Sequence, residues 1–176
     1  MDYFKLFDLS EDFFIDISDL TEIYQEKQRL YHPDRFASAD DKEKLSALQM
    51  ATEINAAYQT LKDPLTRAGY LLQCKGIDVQ NEALTLKDNK FLTHQFELRE
   101  KIDSLQTNRN LSHEDLLVEL TILVQQIDVE QRNLKNELFT AVDYSNWENA
   151  ADSLRKLKYY ERLLGLIDDF EEKLAS

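Results

Sequence analysis

The scarcity of glycine and proline is the feature that most restricts the fold of this chain. Only three glycines and two prolines occur in 176 residues. A fold made of many short strands needs many tight turns, and these two residue types supply a large share of them. Because 43% of the residues are hydrophobic, the chain can also bury a core rather than stay disordered. The sequence therefore predicts an all-α protein built from few, long helices.

Two amphipathic segments in the N-terminal part predict a helical hairpin. Residues 18–31 and 41–61 repeat apolar residues at helical spacing, and Ser18 is the predicted N-cap of the first helix. Pro33 cannot continue that helix and restricts the residue before it, so the chain must turn there. The tip of the hairpin is then Tyr31-His32-Pro33-Asp34-Arg35. The second helix is predicted to bury a single face made of Leu45, Leu48, Ala51, Ile54, Tyr58 and Leu61.

His32 and Asp34 flank this proline, and several interpretations of them are open. A catalytic histidine needs a substrate within reach and a third group to orient it, and a convex tip encloses no substrate. Two ligands on a turn would leave a metal ion mostly uncoordinated. A simple turn accounts for the aspartate and the proline, whereas a docking surface also accounts for their position at the end of a hairpin. We therefore expect no catalytic residue, no metal and no cofactor.

The second half of the chain predicts a separate three-helix bundle. Breaks at residues 108–110 and 143–146 divide it into three helical segments, and Ser112 to Asp115 form a capping pattern at the start of the second one. Short connections between long helices imply antiparallel neighbours. Residues 76–85 have no helical period and predict a linker. The predicted domains are therefore residues 1–75 and residues 86–176.

The first bundle helix has apolar residues on more than one side. At about 100° per residue, Gln95, Leu98, Ile102 and Leu105 follow Phe91 on one stripe, which is predicted to face the core. Leu92 and Phe96 fall off that stripe and are bordered by Glu97 and Glu100. They predict a partner-binding patch or, with equal weight, a broad core stripe or a face packed on the other domain. The last helix has a similar second stripe, made of Tyr159, Leu163, Leu166 and Phe170.

Charge and composition exclude several classes of partner. A net charge of −13 repels phosphate backbones, so no nucleic acid is expected as a partner. Cys74 is the single cysteine, which excludes a disulfide framework. His94 and His113 lie far apart and are expected to be ordinary surface or cap-region residues. No segment has the length and hydrophobicity of a membrane span, and the N-terminus lacks a signal-peptide pattern. A cytoplasmic protein without a membrane partner is expected.

The hairpin tip and its flanking helices resemble the signature of a J-domain. That family docks its His-Pro-Asp loop on the ATPase domain of a DnaK-type chaperone. The resemblance implies that Asp34 makes a charged contact, that Pro33 fixes the loop and that His32 adds shape and hydrogen bonding. It implies a chaperone-binding surface that also contains Tyr24, Lys27, Arg29 and Arg35.

The helix before the motif departs from many J-domains because it lacks a dense basic face. It has only Lys27 and Arg29, with Glu22 and Glu26 as neighbours. Long-range electrostatic steering should therefore be weak. Either the chaperone is specialised for this protein, or the interaction is modest and insensitive to salt, and we expect the former.

Motifs along nearly the whole chain resemble the HscB (Hsc20-type) family of co-chaperones in iron–sulfur cluster biogenesis. They are the N-terminal Met1-Asp2-Tyr3-Phe4, the loop Tyr31 to Ser38, Pro64-Leu65 with Arg67-Ala68 and Tyr70-Leu71-Leu72, Phe91-Leu92 with Glu97-Leu98-Arg99-Glu100, and Trp147 with Arg155-Lys156-Leu157. The resemblance implies a non-enzymatic protein that stimulates an HscA-type chaperone and delivers an IscU-type scaffold to it. The implied scaffold-binding residues are Leu92, Phe96, Glu97, Glu100 and Tyr159. The alternative is a J-domain protein that serves a general DnaK-type chaperone with a different client.

Overall fold

The computed structural model describes residues 2–79, 88–108 and 110–174, and within these ranges the regular elements are all helices. The all-α prediction is therefore confirmed. The chain divides between Ile77 and Asp78 into two compact units. The helices are α1 (Tyr3–Leu6), α2 (Ile17–Leu30), α3 (Asp41–Lys62), α4 (Pro64–Cys74), α5 (Asn89–Thr107), α6 (His113–Asp143) and α7 (Trp147–Leu174), with a 3-10 turn (Pro33–Phe36) between α2 and α3.

The first unit is organised around the hairpin of α2 and α3. Leu20 of α2 and Ile54 and Leu61 of α3 are completely buried. Tyr24 and Tyr58 stack across the two helices with ring centroids 3.9 Å apart, and the Tyr24 hydroxyl donates to Asn55 Oδ1 at 2.8 Å. Packing along both helices holds them together, so the segment between them is presented on a stable support.

Arg67 of α4 ties that helix to the end of α3. Its guanidinium Nη1 donates to the carbonyl of Leu61 at 2.7 Å, which satisfies one of the carbonyls left open in the last turn of α3. The same guanidinium lies 4.9 Å from the ring centroid of Phe13. Desolvation by burial lowers the pKa of Arg67, and the nearby carboxylate of Asp63 opposes that effect. The short α4 is thereby fixed against the hairpin.

Two local predictions in this unit are wrong, the first of them in part. Ile54, Tyr58 and Leu61 are buried as predicted, together with Ala47 and Ala57, but Leu45 and Leu48 are each 56% exposed. The N-cap of α2 is Asp16 rather than Ser18, because the Asp16 carboxylate accepts from the backbone N–H of Ser18 at 2.7 Å and of Asp19 at 3.3 Å. Ser18 is the second residue inside the helix.

The position of this cap gives a direct test. We expect Asp16→Ala to lower the free energy of unfolding by about 1 kcal/mol, because two backbone N–H groups lose their acceptor. Ser18→Ala, the matched control, should change it by less than about 0.5 kcal/mol, because Ser18 is an exposed surface position. Urea unfolding of both variants measures the difference. A larger loss for Ser18→Ala would contradict the assignment.

The second unit contains α5, α6 and α7 as a bundle, in agreement with the predicted three helices. The α6 helix packs along most of α7, and α5 also packs on α7. Ser112 caps α6 as predicted, its hydroxyl accepting from the Asp115 N–H at 3.1 Å. Side chains that are completely or almost completely buried line the centre of the bundle: Ile102, Leu120, Leu123, Ile127, Leu138, Leu157 and Ile167.

The predicted linker, residues 76–85, is described only in part, since residues 80–87 lie outside the described ranges. Gly76 follows α4 with a φ of +77°, the left-handed conformation that glycine adopts without strain. Val79 is buried, and its carbonyl accepts from Lys158 Nζ of α7 at 3.2 Å. Asp78 is bound similarly, its carbonyl accepting from Arg155 at 3.1 Å. Residues 78 and 79 are therefore held against α7 and belong to the second unit.

Candidate functional site

The His-Pro-Asp segment forms the solvent-exposed end of the α2–α3 hairpin. His32 caps the 3-10 turn with its Nδ1, which accepts from the Asp34 N–H at 3.3 Å, and Pro33 occupies the first position of the turn. The side chain of Asp34 is 91% exposed, and its Oδ2 lies 3.6 Å from His32 Nδ1. The proline and the imidazole both restrict the backbone of the turn, and the Asp34 carboxylate extends from this backbone into solvent, where it is open to a partner.

The other residues predicted for this surface differ in how much they can offer a partner. Arg29 and Arg35 are exposed. Lys27 is largely covered and pairs with Asp8 at 3.6 Å, and Tyr24 is committed to its stack with Tyr58. The structure thus gives Tyr24 a role inside the hairpin, as the residue that holds α2 on α3.

The second predicted site lies on α5, on a side away from the bundle. Gln95, Leu98, Ile102 and Leu105 are all buried, as the helical wheel predicts. Phe96 is 62% exposed, and Leu92 is half-buried. Glu97 and Glu100 are exposed beside them. Together these four residues form an open apolar spot with an acidic border, called the α5 patch below.

The second apolar stripe of α7 contributes less exposed surface beside the α5 patch than the sequence suggests. Tyr159 is half-buried, contacts the ring of Phe91 edge-on at a centroid distance of 5.8 Å, and lies under the guanidinium of Arg162 at 5.2 Å. Leu163 and Phe170, from the predicted second stripe, are buried in the second unit. The second stripe of α7 therefore belongs mainly to the core. Of its four residues, only Tyr159 is among the predicted scaffold-binding residues.

A partly buried carboxylate connects all three bundle helices and was not anticipated from the sequence. Glu130 of α6 accepts from His94 Nε2 of α5 at 3.0 Å, from Gln126 Nε2 at 3.3 Å and from the hydroxyl of Tyr160 on α7. His94 is therefore not an ordinary surface residue. Burial raises the pKa of Glu130, but the hydrogen bonds from Tyr160, Gln126 and His94 outweigh burial and hold the pKa below its ordinary value of 4.5. In the sequence, the only sign of this hydrogen-bonded cluster is the i, i+4 spacing of Gln126 and Glu130.

This carboxylate should make bundle stability depend on acid pH. A carboxyl whose pKa is lower in the folded protein stabilises the fold above its unfolded pKa, and that stabilisation disappears as the pH falls through the folded value. We expect wild type to lose stability more steeply than Glu130→Gln between about pH 5 and pH 3. Thermal unfolding of both proteins across this range measures the difference. Glu137→Gln, an exposed carboxylate on the same helix, is the control, and identical pH profiles for wild type and Glu130→Gln would contradict the assignment.

Among the described residues, no group of three or more His, Cys, Asp or Glu side chains is placed to hold a metal ion. In the same part of the chain, no helix is both long and apolar enough to cross a membrane. The Cys74 thiol is exposed, and desolvation raises its pKa. The hairpin tip and the α5 patch are both outward-facing surfaces that a second protein can cover.

Comparison with known proteins agrees with this geometry over the full chain. Residues 2–70 match the DnaJ domain family, and residues 87–168 match the family described as the HSCB C-terminal oligomerisation domain. The co-chaperone protein HscB of Proteus mirabilis is 40% identical over 174 residues, which is 99% of this chain and 98% of that protein. The solved structure of chaperone HscB from Vibrio cholerae matches with a TM-score of 0.85 and 39% identity, covering 98% of this chain and 99% of that one. The crystal structure of human co-chaperone protein HscB matches with a TM-score of 0.77 and 28% identity, covering 96% and 81%.

A hairpin with an exposed His-Pro-Asp tip, joined in one chain to a helical bundle, defines a J-domain co-chaperone, the partner of an Hsp70-type chaperone. Such a protein acts by changing the conformational equilibrium of the chaperone. The chain belongs to the HscB family of co-chaperones. This family works with the chaperone HscA on the scaffold IscU in iron–sulfur cluster biogenesis.

Proposed function

We propose that this protein binds an HscA-type chaperone through its His-Pro-Asp tip and an IscU-type scaffold through the α5 patch, so that the scaffold reaches the chaperone while ATP hydrolysis is stimulated. The observation that carries the scaffold assignment is the 62% exposure of Phe96, an aromatic side chain one residue from the buried Gln95. A large apolar side chain left open beside acidic residues is typical of a binding surface.

The chaperone half of the proposal rests on the tip. Asp34 follows a proline, its backbone N–H donates to His32 Nδ1, and its side chain is 91% exposed, so a cation on the chaperone can reach it without rearrangement of the loop. Such a charge-assisted contact is stronger than a neutral hydrogen bond and has defined geometry. Exposed Arg29 and Arg35, with the partly covered Lys27, would meet acidic groups around it. The ATP chemistry in this proposal belongs to the chaperone, and the co-chaperone supplies binding energy.

The scaffold half rests on the division of α5 into two sides. One side supplies the bundle core through Leu98 and Ile102, and another presents Phe96 with Glu97 and Glu100. A scaffold surface with an apolar pocket and basic rim would complement this arrangement. The half-buried Leu92 and Tyr159 would lie at its edge. The bacterial relatives support a cytoplasmic location.

A three-component ATPase assay tests the proposal. We expect the protein to raise the ATPase rate of an HscA-type chaperone, and to raise it further when the scaffold is present, because the scaffold and the co-chaperone then reach the chaperone as one complex. A general DnaK-type chaperone is the matched control. Because α2 has so few cations, we expect it to respond less. Equal stimulation of both chaperones with no effect of the scaffold would contradict the proposal.

A further inference from the structure

The outward side of α3 has an apolar spot close to the hairpin tip. Leu45 and Leu48 are each 56% exposed there, on a side of the helix away from the buried Ile54. At about 100° per residue, Leu48, Gln49 and Thr52 all lie within about 60° of Leu45. Gln49 and Thr52 are exposed as well. Leu45, Leu48, Gln49 and Thr52 are called the α3 patch below.

The α3 patch is uncharged in a chain of which 31% of the residues are charged. Glu53 is the single charged residue between Leu45 and Leu61, and it lies about 80° around the helix from Leu45. The hydroxyl of Thr52 donates to the carbonyl of Leu48 at 2.8 Å, so it is used within the helix. The outward face of a surface helix is normally covered with charged and polar side chains. Two leucines without a charge between them leave apolar area that a partner can bury.

The α3 patch begins close to the hairpin tip. The first residue of α3 is Asp41, and the helix packs on the 3-10 turn that contains Asp34. At 1.5 Å per residue, Leu45 lies about 6 Å and Thr52 about 16 Å along the helix axis from Asp41. A standard protein–protein interface covers about 800 Å² on each partner, or a disc roughly 30 Å wide. A chaperone that covers Asp34 with an interface of ordinary size is therefore wide enough to reach the patch.

The cations of α2 are too few to supply the affinity of this docking by themselves. Lys27 is paired with Asp8 at 3.6 Å, and Arg29 follows Glu26 by three residues. Acidic neighbours of this kind lower the positive potential that an acidic chaperone surface would meet, and exposed ion pairs contribute little affinity. Burial of the two leucines beside the tip would supply attraction that needs no charge.

We infer that the α3 patch binds the same chaperone as the tip, on an uncharged apolar surface next to the cation that Asp34 contacts. The inference rests on the proposed docking of the tip and adds a second contact to it. The carboxylate of Asp34 is needed for stimulation, whereas the patch supplies affinity and selects the chaperone. A chaperone with charged groups at that place would have to bury them against Leu45 and Leu48 without partners, which weakens binding.

Titration of the chaperone ATPase with the double variant Leu45→Ala and Leu48→Ala tests the inference. We expect the half-maximal concentration of co-chaperone to rise about ten-fold or more, while the rate at saturation stays that of wild type because Asp34 is intact. Alanine preserves the helix, and both leucines are exposed, so the midpoint of thermal unfolding should not change. Phe14→Ala is the matched control, because this side chain is 61% exposed and precedes α2, at the end of that helix away from the tip. A half-maximal concentration equal to that of wild type would overturn the inference.

Asp34→Asn in the same assay separates this inference from the proposed function. If Asp34→Asn stimulates like wild type, the docking of the tip is wrong and the inference fails with it. If Asp34→Asn is inactive but the double leucine variant titrates like wild type, only the inference fails. Isothermal titration with an IscU-type scaffold and sedimentation of the protein alone test the other occupants. Loss of scaffold binding or of self-association by the leucine variant, with an unchanged ATPase titration, would overturn the inference in favour of the scaffold or of a second copy.

Discussion

Asp34→Asn is expected to abolish stimulation of the chaperone ATPase at co-chaperone concentrations where wild type is fully active. The substitution keeps the shape of the side chain and removes the charge that the hairpin tip presents, which is 91% exposed. A hydrogen bond to a charged group contributes up to about 3 kcal/mol, or about 100-fold in affinity. Steady-state ATP hydrolysis by an HscA-type chaperone, titrated with each protein, measures this loss.

The same substitution should leave the fold intact, which separates docking from stability. The Asp34 carboxylate makes no buried contact. In the cap of the turn, it is the backbone N–H of Asp34 that donates to His32 Nδ1, and the Asp34 side chain is not needed. The midpoint of thermal unfolding should therefore be unchanged. Glu53→Gln, an exposed carboxylate on α3, is the matched control and should retain full stimulation. An active Asp34→Asn protein would show that the tip is only a turn.

The double substitution Leu92→Ala with Phe96→Ala is expected to weaken scaffold binding by about 100-fold, the effect of losing a hot spot of roughly 3 kcal/mol. Phe96 offers the largest exposed apolar area of the α5 patch, and Leu92 supports its edge. Isothermal titration with an IscU-type scaffold measures the change. Stimulation of the chaperone in the absence of scaffold should persist, because the hairpin tip is untouched.

Two controls distinguish binding from folding in this experiment. Phe14→Ala removes a side chain of nearly equal exposure, 61%, from the first unit and should leave scaffold affinity unchanged. Leu98→Ala removes a core residue of α5 that is 4% exposed and should cost about 2–5 kcal/mol of stability. If the Leu92/Phe96 variant lost stability on the scale of Leu98→Ala, the two residues would be core. If it stayed folded and bound normally, the scaffold would use another surface.

Helical periodicity located the core side of α5 correctly but only the C-terminal part of the buried face of α3. On α5 the residues of the stripe that starts at Phe91 alternate steps of four and three, so Gln95, Leu98, Ile102 and Leu105 stay on one side, and all four are buried. The face predicted for α3 used three consecutive steps of three, from Leu45 to Ile54. Three residues turn a helix through about 300°, so each step shifts the face by about 60°. Leu45 therefore ends up opposite Ile54 and is exposed.

Capping residues show a similar limit. Both Asp16 and Ser18 have side chains that can accept from backbone N–H groups at the start of α2. The structure selects Asp16, whose backbone is extended while Ile17 begins the helix. At α6 the sequence offered Ser112 followed three residues later by Asp115, and there the predicted cap is correct. A helix start is predictable where one candidate satisfies the pattern, and not where two compete.

By itself the sequence determined the helical class, the hairpin with its His-Pro-Asp tip, and the core side of α5, because these depend on local breaks and on the period of a single helix. Only the tertiary structure decided that Glu130 joins His94 to Tyr160, that Leu163 and Phe170 are core, and that Val118, Ile122 and Val129 are left exposed. Each of these depends on which side of one helix meets another. Which sides meet depends on the apolar area that all helices bury together, and the sequence of a single segment does not specify this.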